Sequence, residues 1–310
     1  MKRTPFLLLA LFTSLSARAD YAWIAKPSTL QVRTGVDIYS TGSNFGNDGT
    51  LDVLRYLGQV STLRDLRFWV HPEIGIDKGW AVAMALPFVS GEVTSDAIQN
   101  TLAGGSGLGD LRLALKWEAS ESPLVVLESE VKFPTGKSSA VNNGELAVGE
   151  GNLDLALRAH WGYQTGQFYF SASPGLLLRT GGYSSAATLD GAMQAFIRRA
   201  YIKIFLTSML SFSPQALTGS NLTAQTVSGS GGSYARLAAS PTYLTGGANV
   251  GVVISKMFRL EGGFQRSILG ARAPDFVSFT VNLLGTFDLS SPDYRPKVRE
   301  VPFETETLDF

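Results

Sequence analysis

Apolar and polar residues alternate along most of this chain, and the connections between the alternating stretches are by turns very short and long. Leu153, Leu155 and Leu157 share one face of a predicted strand, and Phe168 and Phe170 share one face of the strand that returns after a short turn. A period of two, with short turns at one end and long loops at the other, is typical of a transmembrane β-barrel. The pattern therefore predicts a membrane protein before any catalytic motif is considered.

The alternation predicts an all-β protein, an antiparallel up-and-down barrel of about twelve strands. The longest predicted loops are rich in Gly, Ser, Asn and Thr and cover residues 41–59, 90–106, 134–148 and 214–240. An even number of strands places both termini on the short-turn side, the periplasm, and the long loops outside the cell. The predicted strands cover residues 28–42, 60–76, 79–92, 106–119, 123–135, 149–163, 166–181, 186–197, 200–213, 241–255, 257–270 and 275–289.

Residue parity along each strand separates a predicted lipid face from a predicted lumen face. Apolar side chains such as Phe68, Leu113 and Ile204 occupy the first face, and the second face carries most of the charges. A charge at the lipid midplane costs about 2–4 kcal/mol, so the polar face is expected to look into the lumen. A soluble lipocalin-like barrel or sandwich is the alternative, with the apolar face as its core. Aromatic interfacial girdles are expected from Trp80, Trp117, Trp161, Tyr163 and Tyr201.

The N-terminus has the features of an export signal. Lys2 and Arg3 precede an apolar stretch over residues 6–15, and Ala17-Arg-Ala19 matches a cleavage site. The eight residues between position 20 and the first predicted strand are too few for an N-terminal hatch. The predicted regions are a signal peptide at 1–19, an outer-membrane β-barrel at 20–289 and a periplasmic tail at 290–310.

Composition narrows the choice of partners. The chain has no cysteine, so disulfides, thiolate metal sites and a lipid-modified N-terminal cysteine are excluded. Its 26 basic residues balance its 26 acidic residues, so no basic field indicates nucleic acid. We expect outer-membrane lipid and lipopolysaccharide, the barrel assembly machinery and a small-molecule solute as partners, and no cofactor.

Three motifs follow one another in the middle of the chain. They are Ser106-Gly-Leu-Gly-Asp-Leu-Arg-Leu-Ala-Leu-Lys-Trp117, Glu130-Val-Lys-Phe-Pro-Thr-Gly-Lys-Ser138 and Gly149-Glu-Gly-Asn-Leu-Asp-Leu-Ala-Leu157. By themselves the glycines favour tight strand starts or bulges, and Pro134 favours a strand end. In this order the motifs resemble those of the outer-membrane family labelled "MetA pathway of phenol degradation", which is distantly similar to long-chain fatty-acid transporters. The resemblance implies a channel for small, often hydrophobic or aromatic compounds.

Charged residues on neighbouring predicted strands form the candidate site. Opposite charges on adjacent strands stand about 5 Å apart, so they can pair and brace the wall. In a barrel of about twelve strands the same groups can also line a narrow polar path, and both roles stay open. The pore-lining candidates are Asp110, Arg112, Lys116, Glu128, Glu130, Lys132, Asp154, Arg158, His160 and His71.

The sequence does not predict an enzyme. The two histidines, His71 and His160, have the parity of the lumen face, and neither lies beside a serine on a lipid face as an outer-membrane phospholipase would require. No histidine and carboxylate cluster with metal-ligand spacing is present either. The predicted function is passive uptake of small compounds through an outer-membrane channel. The alternative is a structural or surface-interaction barrel with a closed lumen.

Overall fold

The described part of the chain consists of β-strands joined by turns and loops. The computed structural model describes residues 24–46, 48–56, 59–77, 79–137, 146–181, 183–212 and 241–290. The predicted signal peptide, most of the tail, the turn residue Lys78 and the whole loop at 214–240 lie outside these ranges. Among the described residues, no helix is long and apolar enough to cross a membrane.

The strands follow one another along the chain with ranges close to those predicted. They are β1 (Thr29–Phe45), β2 (Leu51–Val53), β3 (Arg55–Tyr56), β4 (Gln59–Asp77), β5 (Trp80–Ser95), β6 (Thr101–Leu108), β7 (Leu111–Glu121), β8 (Leu124–Phe133), β9 (Asp154–Thr165), β10 (Phe168–Arg179), β11 (Ala186–Ile197), β12 (Ala200–Ser211), β13 (Thr242–Val253), β14 (Phe258–Ala271) and β15 (Ala273–Asp288).

In the described ranges, twelve strands close into an antiparallel ring, and only β2, β3 and β6 lie outside it. Each wall strand pairs with the next wall strand, and β1 pairs with both β15 and β4. Val36 of β1, for example, is in register with Val281 on one side and Phe68 on the other. Closure supplies the backbone hydrogen bonds that the hydrocarbon core of a bilayer cannot.

The two faces of the wall have opposite chemistry. The outer face forms an apolar belt, in which Ile38 and Val281 are each 56% exposed and Ile204 is 53% exposed. Most charged residues of the wall, Lys116 and Lys203 among them, point inward and are buried. In a soluble barrel these apolar side chains would form the core, so this distribution excludes the soluble alternative. The predicted parity is confirmed on the wall strands, because side chains alternate between the faces of a strand.

Short turns lie at the end of the barrel where the first strand begins and the last strand ends. The backbone N–H of Leu289 donates to the carbonyl of Ser28 at 2.7 Å, so β1 and β15 finish side by side. We call this the short-turn end and the opposite one the loop end. At the loop end the connection between β14 and β15 is shorter than predicted, because it consists of Arg272 alone, with a φ of 53°.

Three additional strands occupy stretches that were predicted to be loops. β2 and β3 lie within residues 41–59, and β6 begins within 90–106 and extends two residues beyond it, pairing with the extended end of β5. The Gly- and Ser-rich composition of β6 hides this pairing, because backbone hydrogen bonds need no side-chain pattern. The strand predicted at 149–163 begins only at Asp154, since the residues before it turn over the end of the lumen.

The aromatic girdle was predicted correctly at four of five positions. On the outer surface, Trp80 stacks on Trp117 at 5.9 Å between ring centroids, and Trp161 stacks on Tyr163 at 6.2 Å. The prediction for Tyr201 was wrong, because this buried residue points into the lumen. It has the same parity as the lumen-facing Lys203, so the alternation itself places it inside.

Aromatic rings in the lumen lie against glycines of the neighbouring strand. A Cβ at Gly251 would come within 2.0 Å of the Tyr201 ring, and a Cβ at Gly35 would come within 2.5 Å of the Trp69 ring. These glycines therefore leave the space in which each ring lies flat on the wall.

The N-terminal residues 24–27, here called the strap, fold into the lumen at the short-turn end. The N–H of Ala25 donates to Glu73 Oε1 at 2.7 Å, and Ala25 belongs to a buried apolar cluster with Ala81 of β5 and Val126 of β8. The strap passes so close to Gly75 that a Cβ there would lie 1.9 Å from a strap carbonyl oxygen. The residues before the first strand were predicted to be too few for a hatch, and the strap is indeed much smaller than one. It nevertheless enters the lumen, which the sequence did not indicate.

A second apolar cluster narrows the lumen at the loop end. Leu54 lies between β2 and β3, Leu146 lies in the loop before β9, and both are buried. They pack with Tyr39, Leu63 and Val93 of the inner wall. The two ends of the lumen thus carry apolar contacts, and the charged residues lie between them.

Candidate functional site

The three sequence motifs meet around Asp110 at the loop end of the lumen. Asp110 lies between β6 and β7, and its carboxylate accepts hydrogen bonds from the backbone N–H groups of Gly136 at 3.0 Å and Glu150 at 2.8 Å. The hydroxyl of Thr135 donates to the carbonyl of Gly109 at 3.0 Å. The motifs therefore join two loops to the wall, which agrees with the structural interpretation of their glycine and proline residues.

Charged side chains of the same motifs form a compact group with Arg179 of β10. Lys132 Nζ lies 2.7 Å from the Asp154 carboxylate and also binds the Glu150 carboxylate, to which Arg179 donates at 2.8 Å. We call Asp110, Lys132, Glu150, Asp154 and Arg179 the motif cluster. Burial opposes the ionisation of Glu150, but Arg179 and Lys132 outweigh it and lower the pKa of Glu150 to about 2.

A second series of ion pairs continues from the motif cluster toward the short-turn end. Arg112 Nη1 and Arg158 Nη2 each lie 3.5 Å from Glu130 Oε1, and Arg158 also donates to Glu128. These residues lie on the adjacent strands β7, β8 and β9, so they pair laterally as side chains on neighbouring strands do. We call this series, together with Lys116 and Glu73, the inner ladder.

Lys116 is the most deeply buried cation of the inner ladder. Its side chain is 1% exposed, and its Nζ lies 2.5 Å from Glu73 and 3.9 Å from Glu128. His160 continues the series, with Nε2 3.4 Å from Glu128 and Nδ1 2.9 Å from the hydroxyl of Ser173. A buried charge without a partner would cost several kcal/mol, so these contacts stabilise the wall mainly by compensating one another.

The opposite wall carries a smaller polar network around Glu261. Its carboxylate receives hydrogen bonds from Tyr201 at 2.8 Å and Asn249 at 2.6 Å, and lies 3.0 Å from Lys203 Nζ. These contacts explain why Tyr201 points inward instead of toward lipid.

A cavity of about 300 Å³, here called the outer chamber, lies in the loop half of the lumen. Arg67, Arg112 and the motif cluster form its charged side. Tyr39 and Phe276 contribute to its aromatic side, with ring centroids 4.9 Å apart. The chamber therefore offers both charged and aromatic surface to a small solute.

The ten predicted pore-lining residues divide into two groups and one separate residue, His71. Six of them line the outer chamber: Asp110, Arg112, Glu130, Lys132, Asp154 and Arg158. Lys116, Glu128 and His160 lie on the inner ladder and are buried. His71 is on the lumen face of β4, in register with Arg33 of β1, and is not among the residues that line the chamber.

Sequence reasoning missed several charged residues of the site. Glu150 lies within the third motif, and Arg179 has the lumen parity of β10, so both carried a detectable signal. Arg67 and Glu73 were placed on the lumen face but were not selected. The partner of Glu73, Lys116, lies two wall strands away on β7, so pairing between adjacent strands does not reveal it.

The lumen contains a series of side chains with the composition of a hydrolase triad. Ser173, His160 and Glu128 are in contact, but His160 offers Nδ1 to the serine and Nε2 to the carboxylate, the reverse of the usual arrangement. None of the three residues lines the chamber, and Glu128 is engaged by Arg158. The series is therefore structural. In the described ranges, no group of three potential metal ligands comes together.

A closed antiparallel ring with an apolar outer belt and a charged lumen defines an outer-membrane β-barrel. Its short-turn end faces the periplasm. Residues 41–195, half of the 310-residue chain, match the family model described as "Putative MetA-pathway of phenol degradation", and the chain belongs to this family. No curated protein sequence matches it.

One solved structure shows the same architecture at low sequence identity, and others are similar to a lesser degree. The COG4313 outer membrane channel from Pseudomonas putida F1 has a TM-score of 0.67 and 13% identity, over 88% of this chain and 100% of that one. The CymD monoaromatic hydrocarbon channel has a TM-score of 0.48 and 10% identity, over 87% and 91%. The β domain of a Bordetella autotransporter has 0.49 and 9%, over 84% and 100%. The likeness in fold therefore rests on the P. putida F1 protein.

Proposed function

We propose that this protein is an outer-membrane channel for the passive uptake of small compounds, aromatic ones among them. The outer chamber is the observation that carries this proposal. Its volume of about 300 Å³ is roughly twice that of a ~150 Å³ cavity that binds benzene. It can therefore hold one monocyclic solute with a few waters. The P. putida F1 protein with the same fold is itself described as an outer membrane channel.

The charged residues have two roles in this proposal. The motif cluster, Arg112, Glu130 and Arg158 line the chamber and set the electrostatic potential that a solute meets. Lys116, Glu128 and His160 brace the wall below it. Lipid and lipopolysaccharide surround the barrel, and the final strand β15 is the part that the barrel assembly machinery would recognise.

A closed structural barrel is the second candidate, because specific contacts favour it. The strap crosses the lumen at the short-turn end, Leu54 and Leu146 narrow it at the loop end, and most lumen charges are paired. In a channel, the strap or the apolar cluster around Leu54 and Leu146 must move while a solute passes through the lumen. In a closed barrel, both stay in place and the ion pairs serve stability alone.

Ion selectivity distinguishes the two candidates. The purified protein is inserted into a planar bilayer, and its reversal potential is measured in a salt gradient before and after replacing Arg112 and Arg158 by glutamate. In a channel, the double variant should shift the selectivity toward cations, because two positive charges at the chamber become negative. In a closed barrel, the same change should mainly weaken the fold, because it places new carboxylates beside Glu128 and Glu130.

Arg64→Glu is the matched control, since Arg64 is exposed on the outer face of β4. Insertion of each variant is checked by the heat-dependent migration of the folded barrel in gels. A folded double variant with the wild-type reversal potential, or a wild-type protein without conductance, would refute the channel.

A further inference from the structure

We propose that the outer chamber binds a small aromatic carboxylate, with Arg67 holding the carboxylate and the Tyr39 and Phe276 pair holding the ring. This inference rests on the proposed channel function and names its substrate class. It follows from three features of the chamber: the exposure of its cations, the position of its aromatic side chains and the geometry of a guanidinium group.

The cations of the chamber are more exposed than most of its anions. The side chains of Arg67 and Arg112 are 25% and 24% exposed, whereas their partners Asp65 and Glu130 are 0% and 10% exposed. Each carboxylate is thus buried behind its arginine, which presents the remainder of its guanidinium to the cavity. Glu150, at 26%, is the exposed anion, and both Lys132 and Arg179 bind it. The surface that a solute meets beside β4 and β7 is therefore cationic, although the wall as a whole is nearly neutral.

The two arginines flank an apolar strip of β5. Arg67 is in register with Val89, Arg112 is in register with Ala85, and Pro87 lies between these positions. Because one strand separates β4 from β7 and four residues of β5 separate Val89 from Ala85, the backbones of the two arginines stand about 16 Å apart. Pro87 and Val89 both line the chamber beside Arg67, and Arg112 is too far from Arg67 to share one carboxylate with it.

An aromatic pair lies next to Arg67. The guanidinium carbon of Arg67 is 4.8 Å from the centre of the Tyr39 ring, which stacks on Phe276 at 4.9 Å. A flat ring can pack against Phe276 while its carboxylate reaches Arg67, because the two side chains border the same cavity. Cation and aromatic surface together select a solute that has both an anionic group and a ring.

The guanidinium favours a carboxylate over a phenol. Arginine presents a planar fork of N–H donors that matches the two oxygens of a carboxylate. A carboxylate is ionised at neutral pH, whereas a phenol with a pKa of about 10 is neutral and gains little from a cation. Benzoate and phenol therefore form a matched pair of probes that differ mainly in charge and in the number of acceptor oxygens.

The test measures equilibrium binding of sodium benzoate and phenol to the full-length protein in detergent by titration calorimetry. We expect benzoate to bind at least tenfold more tightly than phenol. Arg67→Gln and Arg67→Lys should weaken benzoate binding about tenfold and about threefold and leave phenol unchanged. Arg64→Gln, on the outer face of β4, should change neither. Arg67→Lys is the safer variant, because it keeps a cation beside the buried Asp65 and loses only the planar fork of donors.

Conductance separates this inference from the channel proposal. If benzoate binds as expected but the protein passes no current, the binding site stands and the channel fails. If current flows while benzoate and phenol bind equally, or while both Arg67 variants keep wild-type affinity for benzoate, the channel stands and the carboxylate site is overturned.

Discussion

Replacing Lys116 by methionine tests whether the inner ladder holds the wall together. Lys116 Nζ lies 2.5 Å from Glu73, and its side chain is 1% exposed. At an effective dielectric constant of about 20, opposite unit charges at this distance attract by roughly 7 kcal/mol, of which desolvation cancels a large part. Glu128 would keep Arg158, so the uncompensated charge would fall on Glu73, which also accepts the N–H of Ala25. We expect Lys116→Met to lower the free energy of unfolding by about 3–5 kcal/mol.

The double variant Glu73→Gln with Lys116→Met should recover most of this loss. Both charges are then absent, and the amide oxygen at position 73 can still accept the N–H of Ala25. We expect the double variant to lie within about 1 kcal/mol of the wild type, which implies a coupling energy of at least about 2 kcal/mol between the two positions.

The measurement is denaturant unfolding of the purified barrel in detergent, followed by tryptophan fluorescence and by heat-dependent migration in gels. Lys256→Met is the control, because Lys256 is exposed in the turn between β13 and β14 and its replacement should cost less than about 0.5 kcal/mol. Additive effects of the two lumen substitutions, or an unchanged Lys116→Met variant, would refute the bracing role of this pair.

Two further predictions concern the motif cluster. Because the pKa of Glu150 is about 2 instead of 4.5, its contribution to stability is complete above pH 4.5 and is lost as the pH falls toward 2. Between pH 5 and 2, the free energy of unfolding of Glu150→Gln should therefore fall by about 1–3 kcal/mol less than that of the wild type. An equal pH dependence of the two proteins in this range would contradict the prediction. Asp110→Ala removes two hydrogen bonds to backbone N–H groups, so trypsin should cleave after the exposed Lys137 at least about tenfold faster in membranes, at a local cost of about 2–4 kcal/mol. Equal cleavage rates would show that Asp110 does not hold the loop.

The wall of the barrel was predictable because each strand repeats one simple physical choice. Ile204 and Lys203 are neighbours in sequence, and only one of the two faces of a strand can contact lipid, so parity fixes both orientations at once. The same rule, applied consistently, would have placed Tyr201 in the lumen. Tyrosine as a residue type prefers the membrane interface, but the position along the strand decides which face of the wall its side chain occupies.

The candidate site was predictable only in part. The charges on β7, β8 and β9 were found because adjacent strands of an up-and-down barrel have known neighbours. Contacts made by loops could not be found in this way, since Asp110 and Glu150 are forty residues apart and are joined through backbone N–H groups. The strap could not be predicted either. Residues 24–27 are too few to show a period, and their one charge, Lys26, does not indicate that they turn into the lumen.

The glycines beneath Tyr201 and Trp69 set the bore of this barrel independently of its number of strands. A ring that lies over Gly251 or Gly35 adds little to the thickness of the wall. A side chain in place of either glycine would force the ring toward the axis, where it becomes an obstacle. The clear width of the lumen is thus encoded in pairs of positions on neighbouring strands, one small and one large. Related barrels with equal circumference can then admit solutes of different size through exchanges at such pairs.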